Sequence, residues 1–224
     1  FFGDLLDLHS LPTRLSSFLV SVLTTPEYQP SVKIDMKKKL FPDDYLYLND
    51  TLCIAKIIEP IGNNDYKPSV ARWNMATEEI NPMPYEYPDL KKVRFIYAAS
   101  AEHQLYVQCY TQYDLMTICD FNGNLKCNIY GPKWVNEKTQ TQHYSLGVEF
   151  CGDKILALYS GGDHRTDAYY PTKFLVFDLN GNYLKTLETG YMITDFCYDK
   201  ENNRLIINLN DEIQFAYLDL EGII

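Results

Sequence analysis

The stretch Ser160-Gly161-Gly162-Asp163-His164-Arg165-Thr166-Asp167-Ala168-Tyr169-Tyr170 is the richest in polar side chains that could do chemistry. Asp163, His164, Arg165 and Asp167 are of the types that hold a metal ion or serve as acid and base, because a histidine beside carboxylates can be tuned to titrate near neutrality. A single polar loop of this kind is more often simply solvated, so no catalytic residue is assigned. His9, His103 and His143 stand apart, and none has H-x-H or H-E-x-x-H spacing. No metal ligand and no cofactor is therefore assigned. G-x-S-x-G, the P-loop and the dinucleotide fingerprint are absent as well.

A second pattern is recognition chemistry. An aromatic, a proline and a hydroxyl residue recur in Tyr28-Gln29-Pro30-Ser31, Tyr66-Lys67-Pro68-Ser69 and Tyr169-Tyr170-Pro171-Thr172, each time ahead of an alternating apolar run. Proline there keeps the preceding residue extended, so each copy reads as a loop-closing device. The functional reading is that these tyrosines, with Trp134, present flat amphipathic rings that gain contact area at low entropy cost on a sugar or an extended peptide.

The elements that must position these residues are strands. Helix signals are few, tyrosine is frequent at 19 residues, and short alternating runs sit between Gly, Pro, Asn and Asp clusters. One set of runs spans residues 18–23, 52–56, 105–109, 155–159 and 205–209; from the second onward they start 53, 50 and 50 residues apart. A partner set spans 32–35, 70–74, 116–120, 174–178 and 215–219, each ending on Asp or Asn. In the last three a turn follows at once, and two of these turns carry Asn-Gly, the preferred pair for a tight hairpin in which both central residues have positive φ. Further strands are expected at 125–129 and 183–187.

Antiparallel four-strand units at a period of roughly 40–50 residues predict an all-β fold, a β-propeller. Five units are visible. The first is the weakest, since residues 13–23 could also form a short helix. With the strands of a blade labelled A to D from the channel outward, the three Tyr/Pro copies are B-to-C connections and lie on one face. Tyr28, Tyr66, Tyr169 and Tyr170 are then ligand contacts around the channel mouth, with His164 and Arg165 at the rim. The S-x-D-x-G-x-T-W boxes of sialidase-type propellers are absent.

Composition narrows the partners. The formal charge of −10 comes from scattered acidic residues, and the longest basic run is Lys37-Lys38-Lys39, so a nucleic-acid backbone would be repelled. No apolar run approaches the roughly 18–20 residues of a transmembrane helix. The 46% apolar content can fill one large core, and the whole chain reads as one domain. The six cysteines form no C-x-x-C pair and read as small buried hydrophobes, with a Cys109–Cys119 disulfide across one hairpin as the rival. The chain begins at Phe1, and neither a signal peptide nor a lipid anchor can be read from it.

The blade pattern Phe177-Asp178-Leu179-Asn180-Gly181-Asn182-Tyr183-Leu184-Lys185, together with the segment from Thr194 to Ile206, resembles the TolB-like six-bladed propellers of Gram-negative envelopes. The resemblance covers about residues 40–224 and describes blade construction. It departs in showing five units where the family has six and in lacking a Gly-rich loop ahead of a blade, which is compatible with a missing N-terminal blade. The resemblance implies a periplasmic or surface-anchored binding or scaffold protein, a lipoprotein of the envelope, and it carries over no catalytic residues; the glycan or peptide ligand is the reading of the tyrosines and Trp134. The alternative is a propeller hydrolase or lyase with calcium as its ion. An open ring would expose sheet edges and favour a homodimer unless residues 1–6 supply the closing strand.

Overall fold

A computed structural model describes residues 40–62 and 65–224. Tyr28, the first unit at 18–35 and the closing segment at 1–6 lie outside the described residues. Four antiparallel sheets follow one another along the chain. The first blade comprises β1 (Phe41–Tyr47), β2 (Leu52–Gly62), β3 (Asp65–Asn74) and β4 (Glu79–Pro82). The second comprises β5 (Phe95–Ser100), β6 (Leu105–Tyr110), β7 (Leu115–Asp120) and β8 (Leu125–Tyr130). The third comprises β9 (Thr141–Cys151), β10 (Lys154–Asp163), β11 (Lys173–Asp178) and β12 (Tyr183–Glu188), and the fourth β13 (Ile193–Asp199), β14 (Arg204–Leu209) and β15 (Phe215–Asp219). Every ladder joins strands that are neighbours in sequence. The only helical element among the described residues is a 3-10 turn at Asp167–Tyr169.

The apolar runs of the sequence are the central strands, and those of the second and third blades are apolar throughout because each has a described blade on either side. On β10, Ile155, Ala157 and Tyr159 pack toward the second blade, against Val107, Cys109 and Met116. Leu156 and Leu158 point the other way, toward Ile193, Phe196 and Leu205 of the fourth. β6 is buried along its whole length for the same reason, with Tyr106 and Tyr110 in the layer shared with the first blade. A strand covered on both faces loses the polar alternation that marks a half-exposed one.

The Asp-x-Asn-Gly-Asn turns are built around the aspartate. Asp120 accepts the Asn122 and Asn124 backbone N–H groups at 2.8 Å each, and its other oxygen accepts the Asn124 side-chain amide at 2.8 Å. Asp178 repeats this with Asn180 and Asn182. Only the glycine is left-handed, with φ of 81° at Gly123 and 85° at Gly181. The expected tight turn with two positive φ values is thus replaced by a three-residue loop, and the extra residue appears as the register shift after Ile118 and after Val176. The donors around Asp120 and Asp178, the asparagine side chains first, hold both carboxyls below their ordinary range.

Two other expectations change. Tyr66-Lys67-Pro68-Ser69 is not a connection: it lies inside β3, where Tyr66 pairs with Pro60 and Pro68 with Ile58. Val70 accepts the Met83 N–H, so even-numbered residues of β3 turn their backbone groups toward β4. β4 pairs only with Ala71 to Asn74, so the N–H that Pro68 lacks has no partner strand to lose. The cysteines are all free thiols, which removes the Cys109–Cys119 disulfide; Cys53, Cys109, Cys119 and Cys151 are buried and Cys197 is exposed.

Candidate binding face

The B-to-C and D-to-A connections share one face, and two of them carry most of the site residues named from sequence. The third blade's B-to-C connection begins after β10, which runs on to Asp163, so the polar insertion is shorter than its sequence suggests. Its side chains are engaged within the loop. Asp163 takes Arg165 through both carboxylate oxygens, at 2.7 Å from one guanidinium nitrogen and 3.1 Å from Nε. That pairing holds the Asp163 carboxyl well below its usual range and leaves it a poor base. His164 Nδ1 lies 2.9 Å from the Gln140 carbonyl and so donates to it. Ser160 Oγ donates to the Ala168 carbonyl and accepts the Gly162 N–H. Asp167 is exposed on the 3-10 turn. Tyr169 and Tyr170 follow it with ring centroids 4.2 Å apart and planes tilted by 32°.

Trp134 sits in the connection from β8 to β9 and is the centre of a ring cluster the sequence did not reveal. Tyr130 lies 5.2 Å from it, Tyr87 5.6 Å and Tyr113 6.3 Å, centroid to centroid. The Tyr87 and Tyr130 hydroxyls are 3.4 Å apart, and this contact, with burial, raises the Tyr87 hydroxyl to about 12. Tyr130 remains 50% exposed, so the cluster is open to solvent on that side. These rings come from three separate segments, and only Tyr130 and Trp134 are close in sequence.

A buried carboxylate positions the cluster. Asp114, in the second blade's B-to-C turn, accepts the Lys133 N–H at 2.9 Å, and its backbone carbonyl accepts the Gly131 N–H at 2.8 Å. Gly131 packs so closely on that carboxylate that any Cβ would run into it. The turn closes when the Trp134 N–H reaches the Gly131 carbonyl. Asp114 also lies 3.6 Å from His143 Nδ1, which in turn meets the Tyr159 hydroxyl at 3.3 Å. Burial pushes the His143 pKa down against the pull of Asp114, so the imidazole is neutral at pH 7. His143 is therefore not isolated, as its sequence position suggests. His143 Nε2, Asp114 Oδ1 and Ser145 Oγ are buried without a hydrogen-bond partner.

The connection carrying Trp134 is tied to the one carrying Tyr169 and Tyr170 by the His164–Gln140 hydrogen bond and by Lys133 Nζ, 3.4 Å from the Gly161 carbonyl. Tyr66 stays apart on β3 of the first blade, 42% exposed, and no ring contact among the described residues joins it to the others.

On the inner strands, Glu149 of β9 accepts the Tyr198 N–H of β13 at 2.9 Å. Burial, with Asp195 adding to it, raises the Glu149 carboxyl to about 7. Among the described residues no three His, Cys, Asp or Glu side chains form a group that could hold a metal ion. Among the described residues no helix is long and apolar enough to cross a membrane.

No family model matches the chain, and no curated protein matches it, so the TolB-like resemblance goes no further than the fold. Solved structures do match. The extracellular domain of a one-component system from B. thetaiotaomicron aligns over 81% of this chain and 21% of its own, at 10% identity and a TM-score of 0.53. The WD40 domain of Toxoplasma gondii coronin aligns over 80% and 43%, at 8% identity and a TM-score of 0.52. A gluconolactonase from Xanthomonas campestris aligns over 83% and 61%, at 15% identity and a TM-score of 0.51. The chain spans less than two thirds of each of these structures. With its consecutive antiparallel sheets packed face to face, what it shares with them is the architecture: the chain has a β-propeller fold.

Proposed function

We propose that the chain is a non-catalytic binding or scaffold propeller of the bacterial envelope, periplasmic or at the cell surface, that receives a glycan or a peptide on the face formed by its B-to-C and D-to-A connections. The observation that carries this reading is the pair of ring clusters, Tyr169–Tyr170 and Trp134 with its three tyrosines, on two connections tied together through His164 and Lys133. The half-exposed Tyr130 ring and the partly buried Trp134, Tyr87, Tyr169 and Tyr170 rings offer contact area with little rotamer entropy to lose. The acidic stretch that looked reactive is locked in its own loop, with Arg165 held on Asp163. A glycan and peptide array on the wild type, repeated with Tyr169→Ala and Trp134→Ala, tests the reading: a ligand lost in both variants supports it, and one held equally by all three proteins defeats it.

The second reading, a hydrolase or lyase, has Glu149 in its favour, a carboxyl near neutrality on an inner strand. Its test is turnover of sugar lactones and glycosides with added calcium, lost in Glu149→Gln.

A further inference from the structure

The Trp134 cluster has a chemical bias that its surroundings set. Tyr113 ties the connection between β4 and β5 to the cluster: its hydroxyl donates to the Lys91 carbonyl at 2.8 Å and lies 3.3 Å from the Lys91 backbone nitrogen. Lys91 and Lys92 stand exposed on that segment, next to the residue whose ring packs on Trp134. Of the acidic residues on the same connection, Glu86 is paired with Lys67 at 2.6 Å, while Asp89 acts on the Tyr87 hydroxyl; against these two carboxylates the connection carries Lys91, Lys92 and Arg94. In a chain whose net charge is −10, this is a local reversal of sign beside an open aromatic surface.

We propose that the Trp134, Tyr130 and Tyr87 cluster with Lys91 and Lys92 is a binding subsite for an acidic sugar residue of a uronic-acid-containing glycan. The proposal rests on the binding reading above and names its ligand class. The exposed side of Tyr130 and the Trp134 ring receive the C–H face of a pyranose. The Tyr87 and Tyr130 hydroxyls, 3.4 Å apart, exchange hydrogen bonds with neighbouring hydroxyls of the same ring. The lysine ammonium groups take the carboxylate through charge-assisted hydrogen bonds. A sugar suits the site better than an acidic peptide because the paired phenolic hydroxyls and the ring surface form one compact patch about a monosaccharide wide.

Trp134 reports on the site directly, since the chain has only one other tryptophan, Trp73. In the Trp73→Phe protein, trigalacturonate and a hyaluronan tetrasaccharide are titrated against Trp134 emission beside the methyl ester of trigalacturonate and penta-aspartate. The expected result is a saturable change with at least one acidic sugar, at least tenfold weaker with the ester and with penta-aspartate. Lys91→Gln and Lys92→Gln should each weaken it about threefold to tenfold without altering the unliganded emission. Tyr130→Ala, at a half-exposed position, should weaken it while leaving thermal unfolding in place. No saturable response to either acidic sugar, equal response to the ester, or tighter binding of penta-aspartate overturns the proposal. A neutral glycan or peptide found on the array and lost in Trp134→Ala would leave the binding face standing and defeat only its acidic-sugar assignment.

Discussion

Glu149 and Tyr198 join the inner strands of the third and fourth blades: the carboxylate of one accepts the backbone N–H of the other at 2.9 Å. Neighbouring Asp195 and the thiols of Cys151 and Cys197 share this corner, and no basic side chain pairs with the carboxylate among its contacts. The carboxyl titrates at about 7 in the folded protein against 4.5 ordinarily, so between those values the folded state holds the extra proton. Stability from this group is full below pH 4.5 and is lost as pH rises through about 7. Thermal unfolding from pH 5 to pH 8 should show that decline, worth up to about 3 kcal/mol. Glu149→Gln should match the wild type at pH 5 and exceed it at pH 8. Parallel pH profiles for the two proteins would rule this out.

Asp114→Ala should cost about 1–3 kcal/mol, because the Lys133 N–H loses its acceptor in a part-buried site. The same change should release the turn at Gly131, seen as a red shift of Trp134 emission in the Trp73→Phe background. Unchanged emission would mean that the ring cluster holds Trp134 without the carboxylate.

How much of this was legible in the sequence depends on the kind of contact. The second and third strands of each described blade were readable from their apolar runs, which in β6, β7 and β10 are covered on both faces, and the outer strands β8 and β12 because Asn-Gly announces them. The innermost strands β1, β5, β9 and β13 were not: β9 mixes His143, Ser145 and Glu149 with Tyr144 and Val148, since one side packs on a blade and the other meets polar groups. Tyr169, Tyr170 and Trp134 could be named as candidates because rings near turns stand out. Tyr87 and Asp114 were missed because nothing local marks them; each matters only through a partner 20 or more residues away or across a blade boundary. Tyr66 misled, since a proline at the unpaired side of a strand looks the same in sequence as a proline in a loop.

The two Asp-x-Asn-Gly-Asn turns make an internal control. Asp178→Ala removes two acceptors for backbone N–H groups and one for a side-chain amide, so urea unfolding should show a loss of about 1–2 kcal/mol with an unchanged slope. Asp120→Ala should cost the same within experimental error, because its bonds are the same three. A neutral effect at both would show that the glycine alone sets the turn.

Thiol labelling should be sharply uneven. Cys197 is exposed and should react first, slowly at neutral pH because burial and the carboxylates around it push its thiol up. Cys53, Cys109, Cys119 and Cys151 should react only on unfolding, and reducing agent should leave the thermal midpoint where it is, as no disulfide is present. Rapid modification of several native thiols would contradict the packing between blades.

Because each sheet is laid down in chain order, every ladder closes a short loop, and the hairpins of one blade can form without waiting for distant sequence. The central strands, however, carry side chains for two neighbours at once, as β10 does with Ile155 on one side and Leu156 on the other. A blade that has just folded therefore displays a sticky face until the next one arrives. The piece that can fold is smaller than the piece that can stay soluble, and during synthesis each blade is the chaperone of the one before it.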